Sequence, residues 1–343
     1  MKALFIGGTG TISSDVSRLA ASLGWEVYLL NRGNRTDRLK DISGINWISA
    51  DINDEAGVIN ALRGIHFDVV ANFINYLPNE IERDIRIFTG KTRQYIFISS
   101  TSAYQKPLSH YRITESTPLS NPYWQYSRDK IACEEMLMAE YRRSGFPITI
   151  VRPSHTYGND SIPVAVHGKN GSWQTAKRML AGKPVIVPGD GATLWTLTRS
   201  EDFAKGFIGL IGNIHAIGEA VHITSDESLT WNQAHECIAA ALGVSPKLKH
   251  IATDFLTACE PSLVGTLTGD KANTVVFDNR KLKRLVPGFC AEIRFDQGIR
   301  QTISFILANK KLQTEDEAFD RWCDAVIEAH DEGIKRFRGE MNA

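Results

Sequence analysis

The chain has 343 residues, 43% of them hydrophobic and 23% charged, which is typical of one large globular domain or two associated ones. Its 39 Lys and Arg residues balance 39 Asp and Glu residues, so we expect no binding to nucleic acid or an anionic membrane, because both depend on excess positive charge. The five cysteines are widely spaced and form no C-x-x-C pair, which favours reduced thiols in the cytoplasm over a metal site or a disulfide framework.

Apolar segments alternate with amphipathic segments through the first half of the chain. The first apolar segment starts at Ala3, which leaves no room for a signal peptide, and no segment reaches the roughly 18 apolar residues of a membrane span. We predict strands at "KALFIGG", "WEVYLLN", "INWISAD", "FDVVANFIN", "RQYIFISS" and "FPITIVRP". We predict helices at "ISSDVSRLAASLG", "DEAGVINALRG", "NEIERDIRIFTG" and about Tyr126–Ser144. Unbroken apolar strands between helices indicate a Rossmann-type, doubly wound parallel sheet of the α/β class.

The regular alternation of strand-like and helix-like segments ends after Arg152. A stretch rich in Gly, Pro, Asn and Ser follows, and helical and strand-like segments then occur in mixed order. We predict a dinucleotide-binding domain of residues 1–154 plus about 195–225. We predict a smaller C-terminal α/β substrate-binding domain of about 155–194 plus 226–343.

A glycine-rich loop, "GGTGTIS", follows the first predicted strand and opens the first helix. Glycines at this position allow a tight turn and let the backbone approach a pyrophosphate at the helix N-terminus. Ser13 stands where a third glycine is usual, and its small side chain nearly meets the same packing demand. The alternative is a glycine-rich turn without a ligand. The loop residues that we expect to contact a cofactor are Gly7, Gly10, Thr11 and Ile12.

The end of the second strand bears on the choice of cofactor. NAD sites usually carry an acidic residue there, but this chain has Asn31 followed by Arg32, with Arg35 and Arg38 close behind. Asn does not repel a phosphate and Arg can grip one, which favours NADP(H) over NAD(H); the alternative is a solvated basic loop. Asp51 and Ile52 end the third strand, where the carboxylate can accept a hydrogen bond from adenine or simply cap the strand.

The clearest chemical pattern is "YWQYSRDKIACEE". Tyr126 and Lys130 are four residues apart and share a face of the predicted helix. A phenol has a pKa of about 10, and a neighbouring ammonium lowers it by favouring the phenolate. Ser100 and Ser102 lie at the carboxyl end of the strand that precedes this helix in the chain, where ligands of α/β sheets bind. The alternative is an unrelated surface pair.

These segments resemble the extended, atypical short-chain dehydrogenase/reductases of the NAD(P)-dependent epimerase/dehydratase superfamily. The matching segments occur in family order over about residues 1–225, and "FDNRKLKRLVPGF" extends the match to about residue 289. They are "GGTGTIS", Asp51, "FISSTSAY", Tyr126-x-x-x-Lys130, "VRPSHTYG" and "GDGATLWTLTRSEDFA".

The resemblance implies roles for individual residues. Tyr126 would be the acid–base group, Lys130 would lower its pKa and bind the nicotinamide ribose, and Ser100 would bond the reacting oxygen. His155 falls where family members line the substrate site, although a lone His is more often structural. The resemblance also implies a homodimer through two helices, unless their apolar residues face the protein's own sheet. Those residues are Ile81, Ile85, Phe88, Ile131, Met136 and Leu137.

Departures from the family narrow the expected chemistry. Thr101 and Ser102 replace the Asp-Glu pair of family dehydratases, which makes dehydration by that route unexpected. Trp195 replaces an Arg that clamps the diphosphate of nucleotide sugars, and it indicates a flat apolar or sugar-ring surface unless it is a buried core residue. The candidate substrate residues are Ser102, His155 and Trp195.

The sequence therefore predicts an NAD(P)-dependent oxidoreductase or epimerase that acts on a secondary alcohol or ketone of a sugar-like small molecule. Whether the keto intermediate is re-reduced on its other face decides between epimerase and reductase, and the residues leave this open. The alternative is a cofactor-binding regulator or RNA-associated protein on the same fold, without turnover.

Overall fold

The computed structural model describes residues 1–33, 39 and 42–341. The chain divides into two compact units, each described here by itself. The first unit comprises Met1–Thr156, Thr198–Asp226 and Phe277–Glu292. The second unit comprises Tyr157–Leu197, Glu227–Val276 and Ile293–Ala343.

Strands and helices alternate through the described residues. The strands are β1 (Lys2–Ile6), β2 (Glu26–Asn31), β3 (Ile45–Ser49), β4 (Val69–Asn72), β5 (Tyr95–Ile98), β6 (Arg112–Ile113), β7 (Ile148–Pro153), β8 (His155–Tyr157), β9 (Pro184–Pro188), β10 (Leu194–Trp195), β11 (Leu197–Arg199), β12 (Glu219–Ile223), β13 (Leu229–Thr230), β14 (Lys247–Ile251) and β15 (Val276–Phe277). The helices are α1 (Ser13–Ser22), α2 (Glu55–Ala61), α3 (Pro78–Phe88), α4 (Gln125–Ser144), α5 (Trp173–Leu180), α6 (Ser200–Leu210), α7 (Trp231–Leu242), α8 (Thr253–Cys259), α9 (Leu263–Thr266), α10 (Arg280–Leu285), α11 (Phe295–Ala308) and α12 (Glu317–Met341). Short 3₁₀ or π turns occur at Thr101–Ala103, Ile214–Ala216, Leu267–Lys271 and Lys310–Leu312.

The first unit is built on a parallel sheet with the strand order β12-β7-β5-β4-β1-β2-β3. Its inner strands β1, β4 and β5 are apolar and buried on both faces. In β1, Ala3 and Phe5 pack into a core shared with α1 and α6, whereas Leu4 and Ile6 pack into a second core. Helices therefore cover both faces, which confirms the predicted doubly wound Rossmann-type fold. Ile81, Phe88 and Leu137, considered above as dimer contacts, are buried in the second core and cover the protein's own sheet.

The helix predicted at Tyr126–Ser144 is confirmed as α4, which begins one residue earlier, at Gln125. Gly145 ends it in the left-handed conformation, with φ of 76°, and its N–H bonds the Tyr141 carbonyl at 2.9 Å. Because β5 ends at Ile98, the first turn of α4 and the carboxyl end of β5 are the elements that present the predicted catalytic residues.

One boundary differs from the sequence prediction. Phe277–Glu292 belongs to the first unit, although the prediction placed everything after residue 226 in the substrate-binding domain. The reason is packing against α6. A Cβ at Gly209 would lie 2.3 Å from Val286 Cγ1, and one at Gly206 would lie 3.0 Å from Phe289 Cε2. These two glycines let the α10 segment lie directly on α6.

The second unit contains a parallel β9–β14 pair and an antiparallel β10–β13 pair. Ion pairs join its helices α5 and α12: the buried Arg178 donates to Asp320 and Asp324, each at 2.7 Å. Across the described residues, no helix combines the length and apolar character that a membrane crossing needs.

Candidate active site

The loop between β1 and α1 requires glycine at two positions. Gly7 has φ of 75°, and a Cβ there would lie 2.3 Å from Ile74 Cγ2. A Cβ at Gly8 would lie 2.6 Å from Leu29 Cδ2. Either side chain would force the loop away from the sheet. The bare backbone can therefore line the space at the end of β1, as a cofactor's pyrophosphate requires.

Ser13 closes this loop. Its Oγ donates to the Gly7 carbonyl at 2.7 Å and accepts the Gly10 N–H at 2.8 Å. The side chain is buried at the first residue of α1. Ser13 thus fixes the curvature of the loop by bonding its backbone on both sides of the turn.

A cleft of about 510 Å³ opens beside the loop, within the first unit. Its lining residues are Gly7, Thr9, Gly10, Leu30, Asn31, Arg32, Ala50, Asp51, Ile52, Asn53, Ile74, Asn75 and Glu80. Six of the predicted cofactor residues are among them, and the volume lies in the usual range for ligand sites. Thr11 and Ile12 lie half-buried just before α1 and are not lining residues of this cleft in the described structure. Arg35 and Arg38 fall outside the described residues.

The two polar strand ends in the cleft are held by their own turns. Asn31 Oδ1 accepts the Gly33 N–H at 2.8 Å, and Asp51 Oδ1 accepts the Asn53 N–H at 3.0 Å. The first bond fixes the orientation of the Asn31 amide. Its Nδ2 is enclosed and has no hydrogen-bond partner within the part of the chain that the structure describes. An unpaired amide costs about 1–3 kcal/mol, so this donor fits an acceptor oxygen from a bound dinucleotide.

Lys130 lies on α4 with its ammonium buried beneath Tyr126. Nζ donates to the Asn75 carbonyl at 2.5 Å and to the Ile98 carbonyl at 2.8 Å, and it lies 5.8 Å from the centroid of the Tyr126 ring. The side chain is only 3% exposed, and this burial lowers the pKa of Lys130 to about 8. The group therefore stays positively charged at neutral pH.

Three hydroxyls form a chain beside the end of β5. Ser127 Oγ donates to Ser102 Oγ at 2.8 Å, and Ser102 Oγ lies 2.9 Å from Ser100 Oγ. Ser102 is only 2% exposed. The Ser102 hydroxyl bonds the two neighbouring serines, and its contact with substrate stays a prediction. Ser127, which the sequence reasoning missed, stands directly after Tyr126.

Tyr126 lies in the first turn of α4 between two other aromatic residues. Its ring centroid lies 4.9 Å from that of Trp124 and 6.0 Å from that of Tyr76. Tyr126 and Trp124 are half-buried, whereas Tyr76 is exposed. The Tyr126 ring is therefore part of an aromatic cluster at the carboxyl edge of the sheet.

The remaining predicted substrate residues lie in different units. His155, at the start of β8, is a half-buried residue of the first unit. Trp195 belongs to the second unit, where it is 5% exposed and stacks on Trp231 with a centroid distance of 5.6 Å. This placement matches the buried alternative for Trp195 rather than an open surface.

A buried polar network, here called the Lys130 network, lies under Lys130. Asp84 accepts hydrogen bonds from Asn72 (2.6 Å), Asn75 (2.8 Å), Arg83 (2.8 Å) and Tyr95 (2.5 Å). Burial raises the pKa of the Asp84 carboxyl. The Asn75 carbonyl is the acceptor that orients Lys130. Asn75 is the last residue of the predicted strand "FDVVANFIN", and a polar residue at a strand end is a signal that could have identified it.

A second network, here called the Ser99 network, lies under β5 and β7. Arg152 donates to both oxygens of Glu134, at 2.9 and 2.5 Å, and Glu134 also accepts the Ser99 hydroxyl. Arg152 lies 4.8 Å from the Tyr104 ring centroid, and the Tyr104 hydroxyl lies 3.0 Å from His222 Nδ1. His222 Nε2 lies 3.0 Å from the Asp278 carbonyl, so Nε2 carries the proton and Nδ1 accepts from Tyr104. Burial lowers the pKa of His222 to about 4.

The described residues include no group of three or more His, Cys, Asp or Glu side chains that could hold a metal ion. The polar groups around Tyr126 are instead hydroxyls and an ammonium. These groups can move a proton and stabilise charge on an oxygen.

Comparison with known proteins places this geometry in a family. The sequence profile described as "NAD dependent epimerase/dehydratase family" matches residues 3–223. The 2'-dehydrokanamycin reductase of Streptomyces kanamyceticus is 24% identical over 243 residues, 71% of this chain and 67% of that protein. The chloroplast stem-loop binding protein of 41 kDa b of Arabidopsis thaliana is 27% identical over 265 residues, 73% of this chain and 65% of that protein.

Solved structures share the fold. The dTDP-glucose 4,6-dehydratase of Bacillus anthracis, in complex with NAD, has a TM-score of 0.73 at 17% identity, covering 91% of this chain and 98% of that one. The Thermus thermophilus UDP-glucose 4-epimerase, also with NAD, has a TM-score of 0.69 at 20% identity. The match covers 90% of this chain and 100% of that one. Since the family profile spans most of the chain, including the glycine loop and the Tyr126–Lys130 pair, the chain belongs to the NAD-dependent epimerase/dehydratase family of nicotinamide-dependent enzymes.

Proposed function

We propose that this enzyme moves hydride between a nicotinamide cofactor and a secondary alcohol or ketone of a sugar-like substrate, with Tyr126 as the acid–base group. The observation that carries the proposal is the grouping of Tyr126, Lys130 and Ser100 at the first turn of α4 and the end of β5. The cleft beside the glycine loop lies at the same carboxyl edge of the parallel sheet, where ligands of such sheets bind.

The proton moves through Tyr126. In oxidation the phenolate takes the proton of the substrate hydroxyl as the C–O bond becomes a carbonyl, and in reduction the phenol returns it to the carbonyl oxygen. When bound, the nicotinamide accepts or supplies the hydride at the same carbon. Lys130 favours the phenolate through its charge. Two of the three Lys130 donors go to backbone carbonyls, which leaves one for a ribose hydroxyl.

Ser100 holds the reacting oxygen. Because Ser127 donates to Ser102, the Ser102 hydrogen is directed to Ser100 Oγ, and the Ser100 hydrogen is then available to the substrate oxygen. Each bond in such a chain polarises the next. The serine chain thus presents a donor where negative charge develops on the substrate oxygen.

We propose NADP(H) as the preferred cofactor. The enclosed Nδ2 of Asn31 and the exposed guanidinium of Arg32 are donors, and a 2'-phosphate offers more acceptor oxygens than a hydroxyl. A fluorescence titration tests this: NADPH should bind more tightly than NADH, and Arg32→Ala should remove the difference. Equal or reversed affinities in the wild-type protein contradict the preference; the two solved neighbours named above carry NAD.

The sugar-like substrate is supported by the names of two relatives, a UDP-glucose 4-epimerase and the 2'-dehydrokanamycin reductase. Thr101 and Ser102 supply no carboxylic acid to protonate a leaving hydroxyl. We therefore propose oxidoreduction or epimerisation rather than dehydration. His155 is the proposed substrate contact that lies in the first unit.

Replacement of Tyr126 tests the proposed chemistry. Tyr126→Phe should keep cofactor affinity but lower turnover at least about a hundredfold, because proton transfer is lost. Turnover is measured as oxidation or reduction of the nicotinamide with a panel of sugars. The matched control is Tyr123→Phe, an exposed tyrosine of the same segment. Undiminished turnover in Tyr126→Phe would remove this residue from the mechanism.

Product analysis separates the two reaction outcomes. An epimerase returns its cofactor to the starting redox state, so substrate is converted without net change in nicotinamide absorbance. A reductase or dehydrogenase consumes one cofactor per product. Mass and NMR analysis of the product, with cofactor absorbance recorded in the same sample, distinguishes them.

We also propose a homodimer in a reducing compartment. Cys259 and Cys290 are exposed free thiols, which the cytosol keeps reduced. Light scattering of the purified chain tests the oligomeric state, and a monomer at micromolar concentration contradicts it.

RNA association is a second candidate, favoured by the similarity to a protein named for stem-loop binding. The balanced charge of the chain weighs against a phosphate-binding surface. A gel-shift titration with a stem-loop RNA at physiological salt tests it. Tight binding that Tyr126→Phe leaves intact would favour this second function.

A further inference from the structure

Three aromatic rings meet at the start of α4, and the proposed chemistry uses only the middle one. Trp124 and Tyr76 each pack against Tyr126, with ring centroids at 4.9 and 6.0 Å from its own. Both pairs are tilted, by 44° and 50°, rather than stacked flat. Tyr76 is 49% exposed. These rings therefore offer apolar surface next to the proposed acid–base group.

Charged groups near the rings are already engaged. Lys130 Nζ lies 4.4 Å from the Tyr76 ring centroid and donates to two backbone carbonyls. Arg128, on the same helix turn, donates to the Pro122 carbonyl at 2.7 Å and to Gln125 Oε1 at 2.6 Å. The third Lys130 donor is assigned above to the cofactor ribose, so neither cation is assigned to a substrate phosphate. The surface beside Tyr126 suits an uncharged ligand.

We propose that Trp124 and Tyr76 hold the apolar face of the substrate ring that carries the reacting carbon, and that this ring is a neutral pyranose. This rests on the proposed function, because the reacting oxygen must come within hydrogen-bond distance of the Tyr126 hydroxyl. A six-membered ring held there is within reach of the neighbouring aromatic rings. The C–H groups of a pyranose pack on aromatic surface while its hydroxyls remain at the rim.

Binding of simple glycosides tests the proposal without requiring turnover. The probes are the methyl pyranosides of glucose, galactose and mannose, titrated by calorimetry into the full chain saturated with NADPH. At least one should bind the wild-type protein. Trp124→Ala should weaken that binding about tenfold, and Tyr76→Ala should weaken it severalfold, because each removes aromatic contact area. Failure of all three glycosides to bind the wild-type protein overturns the proposal.

Trp47→Ala is the matched control. Trp47 is an exposed tryptophan of the same unit, on β3, and its removal should leave glycoside affinity unchanged. Trp124→Phe keeps an aromatic ring and should retain most of the glycoside affinity. It also allows the proposal to be tested if Trp124→Ala fails to fold. Equal affinities in wild type, Trp124→Ala and Tyr76→Ala overturn the proposal. The proposal is also overturned if these variants change from dimer to monomer and still bind the glycoside, because the rings would then belong to a contact between subunits.

Tyr126→Phe separates this proposal from the proposed function. The variant should still bind the same glycoside and lose no more affinity than the Tyr126 hydrogen bond supplies, because the ring contacts remain. Glycoside binding without oxidation by any variant, wild type included, once NADP+ replaces NADPH, would contradict the hydride chemistry and leave the aromatic site standing. Oxidation of a sugar with an unchanged KM in Trp124→Ala and Tyr76→Ala would support the chemistry and overturn the aromatic site.

Discussion

The Lys130 network and the Ser99 network use the same kinds of group in different ways. In the Lys130 network, the carboxylate of Asp84 is shared among four residues, only one of which is an arginine. In the Ser99 network, Glu134 gives both carboxylate oxygens to Arg152. Asn75 links this carboxylate to the site, because its side-chain amide donates to Asp84 while its backbone carbonyl accepts from Lys130. A one-to-one ion pair instead braces two strands and α4.

The two networks also respond to pH at opposite ends of the scale. Each contains a base whose charged form is disfavoured by burial: Lys130, with a pKa lowered to about 8, and His222, with a pKa lowered to about 4. The physical cause is the same, but lysine and histidine titrate in different ranges. One network is therefore sensitive to alkali and the other to acid.

Removing the arginine of the Ser99 network should have the largest effect. Arg152→Met leaves Glu134 buried without its counter-charge, which should lower the free energy of unfolding by about 3–5 kcal/mol. Urea denaturation at neutral pH measures the loss. The double variant Arg152→Met, Glu134→Met removes both charges and should recover part of it. A loss below about 1 kcal/mol in the single variant would mean that the pair behaves as a solvated surface ion pair.

The acid sensitivity of the Ser99 network depends on His222. Between pH 6.5 and about 4 the unfolded chain protonates this residue and the folded chain does not, so the unfolded state binds more protons and stability falls with falling pH. Between pH 6.5 and 4 the free energy of unfolding should fall by about 3 kcal/mol. Urea titrations across this range should show a steeper loss for the wild type than for His222→Gln. Parallel curves would contradict a buried neutral histidine.

The Lys130 network should also gain stability with rising pH, at similar size but in the alkaline range. Between pH 8 and 10.5 the unfolded chain keeps the Lys130 proton and the folded chain releases it, so stability rises with pH by on the order of 3 kcal/mol. The measurement is the difference in unfolding free energy between wild type and Lys130→Met in cofactor-free protein. A difference that stays constant across this range would contradict the lowered pKa.

Much of the first unit was predictable because its physical causes are local in the sequence. Unbroken apolar strands predicted a sheet covered on both faces, and the spacing of Tyr126 and Lys130 predicted that both lie on one helix face. The assignment of Phe277–Glu292 was not predictable. It depends on how Val286 and Phe289 fit against Gly206 and Gly209, which are about 80 residues distant.

The groups that orient the catalytic residues could not be predicted from the sequence, for a different reason. Lys130 is oriented by backbone carbonyls, and a carbonyl carries no residue identity that a sequence pattern could reveal. The environment of Trp195 depends on its stacking with Trp231, a contact made only in the folded second unit. Such roles depend on tertiary contacts, whereas motif spacing reports only local geometry.

Ser102 gives the smallest effect and separates a supporting role from a substrate contact. Ser102→Ala breaks the chain from Ser127 to Ser100, so the Ser100 hydroxyl loses the neighbour that directs its hydrogen toward the substrate oxygen. Turnover should fall about two- to tenfold, the value of one hydrogen bond, with KM nearly unchanged. Steady-state kinetics on a substrate found with the sugar panel measures both constants. A rise in KM with unchanged turnover would show that Ser102 contacts substrate. That pattern arises when a lost contact had stabilised the bound substrate and the transition state equally.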